Sequence, residues 1–485
     1  LMQQPLPDLS VNVHTLSARA LRSLAEISPD ATAAELGRRG ASLRPAEFDA
    51  ILRDLAASPW ARTPTGRDAL AALAERQDGA VTAATRALLL PLLHSGDALD
   101  AAIQAALARH PDEPGLLRLA LQSAQRLGDR DAAQRWMTAL GVADPTPGTV
   151  QALYRQRRAL DAETDPDLRV ALLSTSTVDL LAAFLDLELR RVGLRPATYV
   201  APFNAITLEV LNPGSGLYAS APDLVYLSAA LDDLVPELGA TSARSELEEK
   251  GRAAVATLIG HVRTLLDRSA ATVVVHSLHS PTIGSSPLDW RADGRGSWMR
   301  DLNAELQDAF ATERRVHILD VAHVAALRRE GRYENPKMRY MASMRYGEGF
   351  VPALASAYLR YAVPLKGLTK KCLVLDCDNT LWGGIVGEDG PNGIRLGNAS
   401  PGVEYHDFQL GIQALAKRGI LLAVNSKNNP DDALEVIRSH PWMVLREEAF
   451  SAMRINWISK VENLKSIAQE LNIGLDSLVF MDDNP

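Results

Sequence analysis

Residues 371–384 read KCLVLDCDNTLWGG, and this stretch predicts an α/β fold for the C-terminal part of the chain. Its apolar run ends at Val374 and Leu375, which is typical of a strand buried on both faces of a parallel sheet. Two carboxylates, Asp376 and Asp378, follow at once. Parallel sheets place their chemistry at the carboxyl ends of strands, and a divalent cation would offset the repulsion between the two acids. We therefore expect a site for a metal-bound phosphate here.

Three later segments carry side chains that suit the same chemistry. The apolar run ILLAVNSKNN (420–429) leads to the hydroxyl of Ser426, the polar segment INWISKVENL (455–464) carries Lys460, and the run LVFMDDNP (478–485) leads to an acidic pair. Positioning and charge neutralisation supply most of the catalysis in phosphoryl transfer. The alternative is a set of ordinary turn acids at strand ends, and the four ordered pieces together favour the phosphate site.

The order Asp-x-Asp, Ser, Lys, Asp-Asp resembles the motifs of the haloacid dehalogenase (HAD) phosphotransferases. The resemblance implies that Asp376 is the nucleophile and that Asp378 acts as general acid and then general base. It implies a phosphate- or substrate-binding set consisting of Thr380, Ser426, Lys427, Asn428 and Lys460. It implies that Mg²⁺ is held by Asp376, Asp378 through its backbone, Asp482 and Asp483.

Composition excludes several other classes of protein. The chain has 485 residues, a net charge of −8 and no long basic run, so nucleic acid is not expected as the main partner. No apolar stretch is long enough to span a bilayer, so no membrane association is expected. The two cysteines, Cys372 and Cys377, are too close for a normal disulfide, which fits a reducing cytoplasm. The chain stops at Pro485 directly after an acidic pair, and we expect a truncated C-terminus.

Three regions are predicted. Residues 1–165 have apolar residues at helical spacing and are expected to form an α-helical docking region, built either from degenerate tetratricopeptide repeats between 98 and 145 or as an irregular bundle. Residues 166–367 alternate strands with helices, which predicts a doubly wound parallel sheet. Residues 368–485 form the HAD-type α/β domain, in which a strand is predicted at 443–447. No large cap is expected over its pocket, because the segment between the first two motifs is short.

The middle region resembles the SGNH-hydrolase-like region that precedes the HAD domain in FkbH-like proteins. The residues that carry this resemblance are LLSTST (172–177), VLNPGSGLYASAPDLVYL (210–227) and HILDVAHVAAL (317–327). Ser174 and Ser176 lie where an SGNH nucleophile would lie. The usual Gly-Asp-Ser is absent, however, and His323 falls in a helical stretch. We therefore favour a non-hydrolytic role for this region.

The HAD-type region resembles the FkbH-like branch, HAD subfamily IIIC, in LDCDNTLWGGIVGEDG, VNSKNNP and SLVFMDDNP. Members of this branch are similar to enzymes that take a glyceryl unit from 1,3-bisphosphoglycerate, remove its phosphate and load it on an acyl carrier protein. The resemblance implies a Mg²⁺-dependent phosphatase and glyceryltransferase of polyketide or related biosynthesis, with a phosphorylated three-carbon substrate and a carrier protein as partner. The alternatives are a small-molecule phosphatase of polysaccharide or secondary metabolism, and a non-catalytic helical-repeat scaffold.

Cys377, between the two aspartates, is the position matched to the cysteine relay that carrier loading would use. The alternative is a small apolar filler, because free cysteine is often buried. A thiolate beside two carboxylates would also have a raised pKa unless Mg²⁺ or Lys460 compensates. Both interpretations stay open at this point.

Overall fold

The computed structural model describes residues 18–39, 42–76, 80–161, 164–236, 244–279, 288, 291, 294–327 and 333–483. The chain folds into two compact units, Leu1–Leu359 and Arg360–Pro485. The proposed division of the first unit into a helical region and an α/β region stays a prediction. Among the described helices, none combines the length and the apolar character needed to cross a membrane.

The described part of the first 160 residues is helical, as the apolar spacing predicts. Its α-helices are α1 (Ala18–Ile27), α2 (Pro29–Arg39), α3 (Pro45–Ala57), α4 (Pro64–Arg76), α5 (Ala83–Leu93), α6 (Gly96–Arg109), α7 (Pro114–Leu127), α8 (Arg130–Ala143) and α9 (Pro147–Leu160), with a 3₁₀ turn at Pro59–Arg62. Helix α7 illustrates how the sequence sets the ends of a helix. Pro114 occupies its first turn, and Gly128 ends it in the left-handed conformation at φ 72°. One face of each helix contributes to one of two clusters of buried apolar side chains, and the choice between repeats and an irregular bundle stays open.

A five-stranded parallel sheet follows, and it confirms the predicted parallel α/β architecture. Its strands are β1 (Leu168–Ser174), β2 (Pro196–Val200), β3 (Leu224–Ser228), β4 (Thr272–His276) and β5 (Val316–Leu319), in the order β2-β1-β3-β4-β5. The helices of this part are α10 (Asp179–Arg191), α11 (Ile206–Leu211), α12 (Gly216–Ala219), α13 (Leu231–Leu234), α14 (Arg244–Arg268), α15 (Arg295–Asp308), α16 (Val321–Ala326), α17 (Pro336–Ala342) and α18 (Val351–Leu365). Every residue of β3 is buried, because both faces of a doubly wound sheet are covered.

A buried ion pair joins α9 to α10 inside this unit. The guanidinium of Arg157 donates to Asp186 Oδ2 at 2.9 Å, and both side chains are almost completely buried. Arg190 donates to both oxygens of the same carboxylate at 3.1 Å. Helix α9, the last before the sheet, is therefore linked by a buried ion pair to α10, the first helix after β1.

Polar side chains lie at the carboxyl ends of β1, β3 and β4. Ser174 and Ser176 are buried, and their hydroxyl oxygens are 3.1 Å apart. Buried His276 forms hydrogen bonds through both ring nitrogens, to Tyr346 at 3.2 Å and Tyr358 at 2.6 Å, and burial lowers its pKa to about 3. His323 lies in α16, as expected, and is exposed. The non-hydrolytic role stays a prediction.

The second unit is built on a four-stranded parallel sheet. Its strands are β6 (Cys372–Leu375), β7 (Leu421–Ser426), β8 (Ala452–Ile455) and β9 (Leu478–Met481), in the order β8-β7-β6-β9. Its helices are α19 (Val386–Asp389), α20 (Val403–Lys417), α21 (Pro430–Ser439) and α22 (Lys460–Glu470), with 3₁₀ turns at Glu447–Ala449 and Leu475–Ser477. Only α19 and α20 lie between β6 and β7, a segment that the structure describes throughout, so no large cap domain is inserted there.

The prediction of a strand at 443–447 is wrong, and the strand of this region is β8. Met443 and Leu445 are buried in the core without pairing to the sheet. The amides of Val444 and Leu445 donate instead to the side-chain carbonyl of Gln409, at 2.8 and 3.2 Å. Because a side chain satisfies these backbone groups, the segment is buried as a loop.

Candidate active site

A tight turn follows β6 and sets the direction of the two aspartates. The carbonyl of Cys377 accepts from the amides of Thr380 at 3.2 Å and Leu381 at 2.8 Å. Asn379 takes a left-handed conformation at φ 52°, and its side chain accepts from the amide of Gly384 at 2.8 Å. Gly384 itself has φ 96°, and a Cβ there would lie 2.4 Å from a carboxylate oxygen of Asp389. Glycine is therefore required where the turn ends.

Lys460 connects the ends of two strands. Its ammonium group donates to Asp376 Oδ2 and to Asp482 Oδ2, each at 2.6 Å. Asp376 follows β6 and Asp482 follows β9, and these strands are neighbours in the sheet. Burial opposes the charged ammonium, but the hydrogen bonds and charges of the two carboxylates outweigh it and raise the pKa of Lys460. Lys460 therefore stays protonated and neutralises part of the acidic charge.

Three acids at this edge could hold a cation. Carboxylate oxygens of Asp376, Asp482 and Asp483 all lie within 4.8 Å of one another. Asp376 is buried and Asp483 is exposed, so the group opens from the end of the sheet toward solvent. An all-oxygen set of this kind suits Mg²⁺, which prefers carboxylates and water.

The side chain of Asp378 makes its hydrogen bonds with groups outside this set of acids. Its Oδ1 accepts from the indole of Trp382 at 2.9 Å and from the amide of Val386 at 3.1 Å. Its Oδ2 accepts from Asn428 at 3.0 Å. The side chain is therefore held in place by three donors, and the metal role of the Asp378 backbone stays a prediction.

The loop after β7 contributes a hydroxyl and an amide. Ser426 is buried at the end of the strand and accepts from the side-chain amide of Asn428 at 3.2 Å. Because Asn428 also donates to Asp378, the ends of β6 and β7 are linked through one side chain. Lys427, between them, is exposed. The structure thus brings Ser426, Asn428 and Asp378 together on one side of the site. The functional roles assigned to these residues remain predictions.

Cys377 is fully buried and packs in the apolar core of this unit. Burial strongly raises the pKa of its thiol, and the neighbouring carboxylates act in the same direction. Its amide donates to Asp376 Oδ1 at 2.7 Å, so the backbone at this position orients the predicted nucleophile. In this conformation Cys377 therefore resembles a small apolar core residue, which is the alternative to the cysteine relay.

Sequence reasoning missed three buried amides beside the site. Gln409, on α20, donates to the carbonyl of Leu381 at 2.7 Å and so anchors the turn after β6. Asn425 and Asn463 are also buried and are bonded to each other at 3.0 Å. For Gln409 and Asn425 the sequence signal was an amide side chain next to apolar positions, because a buried amide needs partners, whereas Asn463 lies in a polar segment.

The comparisons with known proteins agree with this architecture. No protein-family model matches the chain, and no curated protein matches it. A solved structure is similar: the N-terminal part of the protein BF1531 from Bacteroides fragilis, which contains a phosphatase domain and was crystallised as a complex with Mg. The TM-score is 0.62 and the sequence identity 28%, over 70% of this chain and 89% of that one. This likeness supports the predicted relation of the chain to HAD-type phosphatases.

Proposed function

We propose that this protein is a Mg²⁺-dependent HAD-type phosphatase whose reaction takes place at the carboxyl end of β6. The observation that carries the proposal is the bridge of Lys460 between Asp376 and Asp482, next to the acid trio. One ammonium group and three carboxylates from the ends of two neighbouring strands form a receptor for a phosphoryl group and its metal. The similar domain crystallised with Mg adds support.

The chain's own residues then account for both halves of hydrolysis. A carboxylate oxygen of Asp376 forms a bond to phosphorus while the bond from phosphorus to the ester oxygen breaks, and Asp378 gives its proton to that leaving oxygen. Water next attacks the phosphorus of the aspartyl-phosphate and gives a proton to Asp378, while the bond from phosphorus to Asp376 breaks. This step restores the Asp376 carboxylate and releases phosphate. Lys460 and the Ser426 hydroxyl hold the phosphoryl oxygens. Asp376, Asp482, Asp483 and the Asp378 backbone would hold the metal, which would supply charge neutralisation.

A substitution at Asp376 tests the phosphatase. Asp376→Asn removes the nucleophilic charge with almost no change in shape, so release of phosphate from p-nitrophenyl phosphate should fall by about 10³-fold or more. The matched control is Asp407→Asn, at an exposed position on α20. Unchanged turnover in Asp376→Asn would refute Asp376 as the nucleophile, whereas no phosphate release by the wild type would leave the non-catalytic scaffold.

The finer proposal is transfer of a glyceryl unit from a bisphosphoglycerate-like substrate to an acyl carrier protein, in polyketide or related biosynthesis. Its support is the FkbH-like sequence pattern and the absence of a cap domain between β6 and β7, which leaves room for a macromolecule. The two free, buried cysteines suit a reducing cytoplasm. Incubation with bisphosphoglycerate and a carrier should increase the mass of the carrier, measured by mass spectrometry.

A plain small-molecule phosphatase is the second candidate, and the burial of Cys377 favours it. A thiol that is fully buried and strongly resists ionisation is not placed to accept an acyl group in this conformation. Phosphate release without a mass change on any carrier offered would select this candidate. A mass change that persists in Cys377→Ala would instead show that transfer does not need this thiol.

A further inference from the structure

Three asparagine side chains form a chain of hydrogen bonds behind Lys460, which we call the amide ladder: Asn425, Asn456 and Asn463. The amide nitrogen of Asn463 donates to Asn425 Oδ1 and to Asn456 Oδ1, both at 3.0 Å. Asn425 in turn donates to the main-chain carbonyl of Lys460 at 2.9 Å. Asn425 and Asn463 are buried, so the cost of leaving any of these groups without a partner is high.

The amide ladder joins three elements at one point. Asn425 is the penultimate residue of β7, Asn456 directly follows β8, and Asn463 lies in the first turn of α22. The amide of Asn456 also donates to the carbonyl of Ser426 at 3.1 Å. The start of α22 is thereby fixed against the ends of the two strands that lie beside it.

We propose that the amide ladder positions Lys460, so that Asn463 and Asn425 are positioning residues for the phosphoryl site. Lys460 is the first residue of α22, and its ammonium group must reach both Asp376 and Asp482. A small shift of the helix start would carry the ammonium group away from at least one carboxylate. The inference deepens the proposed phosphatase and rests on it for its effect on turnover.

The rest of α22 is anchored by different contacts, which allows the two roles to be separated. Farther along the helix, Ser466 accepts from Arg454 at 2.9 and 3.1 Å, and Ile467 is buried in the core. These contacts hold the helix on the sheet without touching the carbonyl of Lys460. Ser466→Ala is therefore a control that weakens the attachment of α22 and leaves the amide ladder intact.

A double-mutant cycle tests the proposal. Asn463→Leu keeps the volume and removes both donors, and we expect kcat/KM for p-nitrophenyl phosphate to fall about 10- to 100-fold, by analogy with groups that orient metal ligands. In a Lys460→Met background the same change should cost less than about threefold, because the residue that it positions is gone. Ser466→Ala should cost less than about threefold in either background. Equal losses from Asn463→Leu in both backgrounds, or no loss in either, would overturn the proposal.

A structural measurement separates failure of this inference from failure of the phosphatase. In a crystal structure of Asn463→Leu, the distance from Lys460 Nζ to Asp376 Oδ2 or Asp482 Oδ2 should exceed hydrogen-bond length, whereas the wild type keeps both contacts. Unchanged contacts would refute the inference even if the enzyme is active. Should the wild type hydrolyse no phosphate ester, the proposed function fails and the crystal structures still decide the role of the amide ladder. If Asn463→Leu does not fold, Asn456→Ala at the half-buried end takes its place in both experiments.

Discussion

Replacing Lys460 by methionine should separate its role toward the phosphoryl group from its role toward the acids. Methionine keeps most of the length of the side chain and removes the charge. The ammonium group makes two short hydrogen bonds, each 2.6 Å long, and the side chain is only 22% exposed. Water therefore cannot easily take over the hydrogen bonds that the ammonium group makes.

The expected loss follows from the chemistry of one lost donor at a charged transition state. Removing such a donor typically costs about 10²- to 10³-fold in kcat, or about 2.7–4 kcal/mol. The affinity for Mg²⁺ should increase, although kcat decreases. Without the ammonium group, Asp376 and Asp482 present more uncompensated negative charge, so the apparent Kd for Mg²⁺ should fall. A simple loss of folding would weaken both properties together.

The assay is steady-state hydrolysis of p-nitrophenyl phosphate over a Mg²⁺ titration, with Lys465→Met as the control. Lys465 is an exposed lysine on the same helix, so its removal changes the net charge equally without touching the acids. Wild-type kcat in Lys460→Met, or a loss matched by Lys465→Met, would refute the assignment of Lys460 to the phosphoryl group. A weaker Mg²⁺ affinity would show that the charge argument has the wrong sign.

Three further outcomes are expected. Asp186→Ala leaves Arg157 buried without its carboxylate and should lower the free energy of unfolding by about 3–5 kcal/mol in urea denaturation of the whole chain, and a loss below about 1 kcal/mol would contradict it. The folded pKa of His276 is about 3, below its usual 6.5, so its contribution to stability is present above pH 6.5 and is lost as the pH falls toward 3. Urea denaturation should therefore show a loss of about 2 kcal/mol from this group between pH 7 and pH 5, absent in His276→Asn. Cys377 should resist iodoacetamide in the native protein, and rapid labelling seen by mass spectrometry would show that its loop opens.

The sequence predicts the strands that carry the site, because each is a continuous apolar run ending in a polar residue. That pattern located β6, β7 and β9. The pattern failed at residues 443–447. This segment and β8 are both short and both contain buried apolar residues, so hydrophobicity alone does not distinguish them. Pairing with β7, which places Ile455 opposite Ser426, decides which one becomes a strand.

The chemistry of the site was easier to predict than its supports. Aspartates that follow apolar runs stand out in the sequence, because charged side chains are seldom placed next to a hydrophobic core. Asn463, by contrast, lies in a polar segment, where it cannot be distinguished from a surface residue. Its importance comes from distances that close only in the folded chain, to Asn425 and Asn456. Trp382 is similar: its apolar ring suggests a core position, and only the fold shows its indole donating to Asp378.

The formal charges around Lys460 imply that its contacts must change during the reaction. Three carboxylates and one ammonium group leave a formal charge of −2, which would repel a phosphate dianion. One divalent cation cancels that charge, and the carboxylate oxygens that now accept from Lys460 are the same groups available to a cation. The ammonium group must then exchange a carboxylate for a phosphoryl oxygen while its backbone stays fixed. A lysine that is free to move at its end therefore needs an anchor at its main chain, and the hydrogen bond from Asn425 to its carbonyl supplies one.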